Sequence, residues 1–542
     1  MTTIKQVCLG VAVAGVVAGG GTAIGTAVAS ADTTDSTASA GRSANATPAA
    51  QPRSRNTARP AAAATAARKP ASAPKAAASR RSATIAAALP SAPAPAPAPA
   101  SVLPFVAAGA ATPPSRRAAV VASAVAPAAD APVHVLLIGT DGTNLSKVLA
   151  DPANVGFFNL MDQSVTGTAT LVDHTTISGP SWSTIMTGAW DTKTGVINNL
   201  FNPAPYRSWP TAFNLIEYYK PATATSIIAD WAYMNDMAAA GGYPADENIF
   251  FGFTDSWAAT DAEVVNKTIE LIGSAATDTS SFMFSYQVQV DEAGHSYGGG
   301  SPEYAEAVTN VSNNIQQIMD AVAARELAYG EDWTVIVTTD HGHQQSVGFG
   351  HGFQSPNETS SFVIFDLAGD SANDGNQNLN YSTADITPTI VDLFGISQRS
   401  DFDGVPMNSN AAVLNSIVSP VNLSQALNDA IGMYGYPNIG TDIALGVRTV
   451  FASVPYFIDG FVTSITGQLQ SIVDQQIFII SALAGLTEAA VQFAGDGLVA
   501  VTQALARVVA TLTGSGVIAP SDPPLPAPPT AALPKVPAAA LV

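Results

Sequence analysis

The sequence predicts an α/β fold built on a large, mostly parallel sheet, with an all-helical segment appended after it. Three observations carry that expectation. From Val133 onward, short apolar runs alternate with helical stretches. Acidic residues follow the ends of those runs. From 418 to 516 the pattern changes to apolar residues at helical spacing (Val450, Val454, Phe457, Phe461, Ile465) with almost no charge, which reads as several packed helices.

The strand candidates are 133–138, 224–229, 282–290, 333–337 and 362–365, followed by Asp141, Asp230, Asp291, Asp340 and Asp366 respectively. Ligands of open α/β sheets gather outside the carboxyl ends of the strands, so acids recurring there are placed to converge. The chain has 542 residues, which exceeds the usual size of one domain. A single core of roughly 250–300 residues with appended segments is therefore expected.

Residues 1–31 read as an export signal: Lys5, an apolar Gly/Ala/Val stretch over 7–28, then Ala29-Ser30-Ala31. Cleavage after Ala31 is expected, and the mature protein would be secreted or held in the cell envelope. The competing reading is an uncleaved anchor, since the stretch is about as long as a spanning helix, but its Gly and Ala content makes it weakly hydrophobic. Cys8, the one cysteine, lies inside this signal, so the mature chain would have no thiol. That excludes cysteine nucleophiles, disulfides and thiolate metal sites.

Residues 32–130 form an Ala/Pro/Arg-rich linker that cannot bury a core and is expected to be disordered. It carries eleven Lys and Arg against three Asp and Glu, whereas 131–542 carry ten against thirty-nine. An acidic globular part argues against a nucleic-acid-binding domain, because a phosphate backbone needs clustered cations. The linker arginines or the C-terminal helices offer routes to association with the envelope, against the plainer readings of a solvated spacer and an ordinary helical core. The expected divisions are 131–415 for the α/β domain, 416–518 for the helical segment and 519–542 for a disordered Pro-rich tail.

Three short motifs carry chemistry. In Asp291-Glu292-Ala293-Gly294-His295, a carboxylate and an imidazole four apart follow a buried strand, so that one helical turn or a tight loop aims both at one ion. Thr339-Asp340-His341-Gly342 again follows a strand, with a glycine that allows a sharp turn. His351 stands between Gly350 and Gly352. Oxygen and imidazole ligands without sulfur suit zinc, with manganese or iron as alternatives.

These motifs, with Asp141-Gly142, the block from Ser178-Gly179-Pro180 to Thr187-Gly188, the stretch from Pro388 to Ile396 and Asp403-Gly404, resemble the alkaline phosphatase superfamily over about 133–407. The likeness is strongest to its type I phosphodiesterase/nucleotide pyrophosphatase and sulfatase-like branches. The resemblance implies a three-layer α/β/α sandwich and two divalent metal ions. One ion would be held by Asp291, His295 and His351, the other by Asp141, Asp340 and His341. It also implies that Ser178 is the nucleophile and a metal ligand, and that Asn199 hydrogen-bonds a phosphoryl oxygen. Thr175, Thr176 and Ser181 remain rival nucleophiles. His343 reads either as a donor to the metal ligands or as solvent-facing, and His134 and His174 as structural. Trp182, Trp190 and Trp231 read as cleft lining or, more simply, as core.

One departure narrows the substrate. Sulfatases convert the nucleophile within a pattern that ends in arginine, and here that position is Trp182. A small phosphoester is the expected substrate. The six Lys and Arg between Gly142 and His351 are scattered, which favours a diester or pyrophosphate over a dianionic monoester. A phosphomonoesterase or phosphonate hydrolase on the same site is the alternative, and an inactive envelope-binding module is the alternative of another class.

Overall fold

The computed structural model describes residues 131–348, 350–474, 478–516 and 518–528. The signal, the linker and residues 529–542 of the tail lie outside the described residues.

The sheet has nine strands: β1 (His134–Thr140), β2 (Val165–Thr170), β3 (Ala224–Ala229), β4 (Glu247–Phe250), β5 (Ser281–Gln287), β6 (Trp333–Thr338), β7 (Ser360–Asp366), β8 (Asn376–Asn378) and β9 (Ile417–Val418). Their spatial order is β4-β3-β5-β1-β6-β7-β2-β8-β9. Strands β4, β3, β5, β1 and β6 are parallel neighbours. β1 is buried along its whole length, as a near-continuous apolar run in the middle of a parallel sheet must be. Its side chains alternate between two cores. Val135 and Leu137 join Trp182, Phe284 and Ile390 on one face, while Leu136 and Ile138 join Phe157, Ile315 and Phe362 on the other. Helices cover both faces, giving the three-layer α/β/α sandwich.

Two strand expectations change. The run 282–290 is a strand only to Gln287, and the helix Gln289–Tyr297 takes over from there. The run 362–365 lies in β7, which is antiparallel to β6 with Asp366 level with Val335. Asp366 therefore sits at the opposite sheet edge from Asp340 and does not converge with the other acids. An apolar run has no direction written in it, which is why the sequence pattern could not distinguish the two ends. β2, with the sequence VTGTAT, escaped the pattern because it has no apolar run to detect.

After the sandwich come the helix Leu423–Ala430 and two long helices, Ile439–Val473 and Phe478–Leu512, that pair with each other as a hairpin. Both are long and apolar enough to cross a membrane. The base of the hairpin docks on the domain: Arg448 Nη1 lies 2.9 Å from Asp191 Oδ2, both buried. Farther out, Phe461, Leu486 and Phe493 are exposed. The start of the Pro-rich tail is held rather than loose. Ser400 N donates to Asp522 Oδ2 at 2.6 Å, and Leu525 packs against the core.

Candidate metal centre

The carboxyl ends of β1, β5 and β6 meet at one point because the three strands are adjacent and parallel. Asp141 follows β1, and Gly142 after it has a φ of +63°. A Cβ at Gly142 would stand 2.6 Å from Asp291 Oδ1, so only glycine lets the two strand ends approach. Asp291 and His295 share one face of the helix Gln289–Tyr297, with His295 Nε2 3.3 Å from Asp291 Oδ2. His351 Nδ1 pairs with the carbonyl of Thr176 at 2.7 Å, which turns its Nε2 toward His295 Nε2, 3.1 Å away.

Two groups of ligand-type atoms result, each with its atoms within 4.8 Å of one another. The first is Asp291, His295, His343 and His351, the second Asp141, Asp291 and His341. Asp291 belongs to both. Asp340 stands beside the second group, its Oδ2 3.2 Å from His341 Nε2 and its Oδ1 accepting the N–H of Gly142 at 3.2 Å. His343 is not solvent-facing. It is wholly buried, with Nε2 2.5 Å from Asp291 Oδ1, and it occupies a ligand position in the first group.

The donor set fits divalent cations. Asp141 Oδ1 and Asp340 Oδ2 are buried without a hydrogen-bond partner. Burial and the nearby charge of Asp291 push Asp141 up to about 7, and burial together with Asp141 raises Asp340 as well. Burial alone would also raise Asp291, but His295 and His343 hold it well below the usual carboxylate range. Burial drives His341 down to about 3, so its imidazole is neutral, as a ligand must be. Among the described ion pairs, none joins these three carboxylates to a Lys or Arg. Carboxylates crowded around the neutral imidazole of His341 make a place that a cation would suit.

Ser178 opens the helix Ser178–Thr187, with its Oγ 3.1 Å from His341 Nε2. Two of its rivals are engaged in hydrogen bonds. Thr176 Oγ1 donates to the Phe353 carbonyl at 2.9 Å, and Ser181 Oγ to the Thr175 carbonyl at 3.2 Å, while Thr175 Oγ1 is buried without a partner. Asn199 is half-buried and accepts the Gly179 N–H on its Oδ1 at 2.8 Å. His134 is structural, stacked on Trp333, and His174 stacks on Trp190 at 3.6 Å.

Sequence reasoning missed the supports of this centre. Trp182 is fully buried, yet its indole Nε1 donates to Asp141 Oδ2 at 2.7 Å, and Tyr286 Oη donates to the same oxygen at 2.5 Å. Tyr304 Oη donates to the Gly142 carbonyl and accepts the Asn144 N–H at 2.8 Å. The one available signal was that a Trp or Tyr in a core brings a polar atom needing a partner.

A buried cluster of carboxylates and imidazoles thus stands beside a serine hydroxyl at the carboxyl edge of a mostly parallel sheet. Residues 135–354 match the family model described as type I phosphodiesterase / nucleotide pyrophosphatase, a span that takes in the whole cluster. Over that segment the chain is similar to the type I phosphodiesterase / nucleotide pyrophosphatase family. No curated protein matches the chain. Among solved structures, a 2-O GAG sulfatase is similar at 14% identity and a TM-score of 0.41, over 52% of this chain and 74% of that one. The phosphonate monoester hydrolase of Agrobacterium radiobacter is similar at 14% identity and a TM-score of 0.38, over 51% and 76%. An alkaline phosphatase superfamily protein from Vibrio parahaemolyticus is similar at 14% identity and a TM-score of 0.38, over 52% and 70%.

Proposed function

We propose that the protein is an exported two-metal hydrolase of phosphodiesters or pyrophosphates that works through Ser178. The observation that carries the proposal is the position of Ser178 Oγ at the edge of the group Asp141, Asp291 and His341, at the first turn of a helix. Asp291, His295, His343 and His351 would hold one cation and Asp141, Asp340 and His341 the other, with zinc best suited to the donors and manganese or iron as alternatives. Cations bound there would act as Lewis acids and balance the charge of the transferring phosphoryl group.

The remaining work falls to the chain. Ser178 gives up its hydroxyl proton to solvent as its Oγ bonds to phosphorus and the ester oxygen leaves on the opposite side, taking a proton from solvent; water then cleaves the Oγ–P bond, releasing the phosphate and restoring the Ser178 hydroxyl. The N–H groups of the first helical turn favour negative charge at Ser178. Asn199, its Oδ1 held by the Gly179 N–H, has its Nδ2 left to donate to a non-bridging phosphoryl oxygen. Trp182 and Tyr286 fix the orientation of Asp141.

A diester or pyrophosphate is favoured over a monoester because cations are scarce. Of the six Lys and Arg between Gly142 and His351, Lys193 is paired with Asp403, Lys267 with Glu270 and Arg325 with Glu331. A dianionic monoester would call for more positive charge than this site offers. Sulfate esters are disfavoured because Trp182 stands where the pattern that sulfatases use to convert their nucleophile has arginine. Export rests on the composition of residues 1–31.

The test combines metal analysis with turnover of aryl diester, monoester and sulfate substrates by the parent protein and by Ser178→Ala. Metal-dependent diester turnover that Ser178→Ala abolishes, with metal content retained, is expected. Faster monoester than diester turnover would overturn the substrate assignment, and an active Ser178→Ala would overturn the nucleophile.

A further inference from the structure

The C-terminal hairpin lies outside the segment that matches the family model, yet it reaches two walls of the site. Thr449 Oγ1 donates to the carbonyl of Gly352, the residue after His351. On the other wall, Asn198 is 2% exposed and its side-chain amide is committed at both ends. Its Oδ1 accepts the N–H of Leu200 at 3.3 Å, while its Nδ2 donates to the Ala452 carbonyl at 3.0 Å and to Gln503 Oε1 at 2.7 Å. Both acceptors belong to the hairpin. Ile197 packs beside them against Phe451, Ala506 and Ala510.

The turn held in this way is the one that meets the nucleophile. The Asn198 carbonyl lies so near Gly179 that a Cβ there would stand 2.6 Å from it, and the next residue, Asn199, takes the Gly179 N–H. We propose that Gln503 is a positioning residue of the catalytic site: through Asn198 it fixes the turn that aims Asn199 at the phosphoryl group beside Ser178. The inference rests on the reading of Asn199 given above. A contact that matters in the transition state loses much of its effect when displaced by a fraction of an ångström, so a loosened turn costs turnover rather than substrate affinity.

The experiment uses the full-length protein and an aryl phosphodiester. Gln503→Leu removes the acceptor and is expected to lower kcat by roughly tenfold, with KM and metal content unchanged. Gln503→Glu keeps an acceptor and should retain kcat. Asn198→Leu removes the partner on the other side of the same bond and should reproduce the loss, which covers the case in which Gln503→Leu fails to fold. In an Asn199→Ala background, Gln503→Leu should have no further effect, because the contact it aims is gone. Full kcat in both Gln503→Leu and Asn198→Leu overturns the inference, and so does an equal fractional loss with and without Asn199, which would mark a general structural role. A parent enzyme that does not turn over the diester would instead remove the function proposed above, and this inference with it.

Discussion

Trp182→Phe isolates one hydrogen bond in the centre. The indole Nε1 and the Tyr286 hydroxyl converge on one oxygen of Asp141, at 2.7 and 2.5 Å. The substitution keeps an aromatic ring beside Phe284 and Tyr286 and removes one of the two donors. In the metal-free protein Asp141 sits near 7, so close to neutral pH much of it is protonated and needs donors least. With a cation bound it is fully ionised, and there a hydrogen bond to a charged acceptor contributes about 1.5–3 kcal/mol. Since about 1.4 kcal/mol is a tenfold change in an equilibrium constant, the dissociation constant for the metal should rise by roughly ten- to a hundredfold. Competition against a graded series of chelators measures it. Phe284→Leu, a packing change in the same cluster that leaves Asp141 untouched, is the control and should lower thermal stability with the metal affinity unmoved. If Trp182→Phe retains metal as tightly as the parent, or Phe284→Leu loses it as readily, the indole is only core.

Two predictions concern stability. Arg448→Met strands the buried carboxylate of Asp191 and should destabilise by about 3–5 kcal/mol in chemical denaturation, with Asp191→Asn in the same chain recovering much of the loss. A single variant within error of the parent would contradict that. Asp366 is held up to about 7 by burial, with Glu326 and Asp374 adding repulsion. A carboxyl raised in the folded state contributes its stability fully below the unfolded value. That contribution is lost as pH rises through the folded value, so the ionised group burdens the fold above about pH 7. At about 1.4 kcal/mol per unit and roughly three units, Asp366→Asn should stabilise by at most about 4 kcal/mol at pH 8 and by close to nothing at pH 4. Melting the variant beside the parent at both pH values checks it, and an equal shift at the two pH values would refute the assignment.

The fold was legible wherever burial leaves a pattern. β1, β3 and β6 are short apolar runs ending near an acid, and each was found. Direction was not legible, so Asp366 was grouped with acids that lie at the other end of the sheet. Among the site residues, Asp291 and His295 declared themselves by their spacing and His351 by its flanking glycines. His343 and Trp182 did not, since a histidine two residues beyond another, or a tryptophan in an apolar helix, looks the same whether or not it touches a carboxylate. Gln503 was out of reach altogether. A glutamine on a helix 305 positions from its partner leaves no local trace.

That separation in the chain has a consequence for how the enzyme comes into being. A growing chain that has passed residue 351 already carries every candidate ligand of the centre, but the bond that tethers Asn198 must wait until Gln503 has emerged and the hairpin has closed. Synthesis of the ligands and synthesis of the tether for the turn beside Ser178 are therefore separate in time. A chain that ends early would have a site with all its ligands and without its brace.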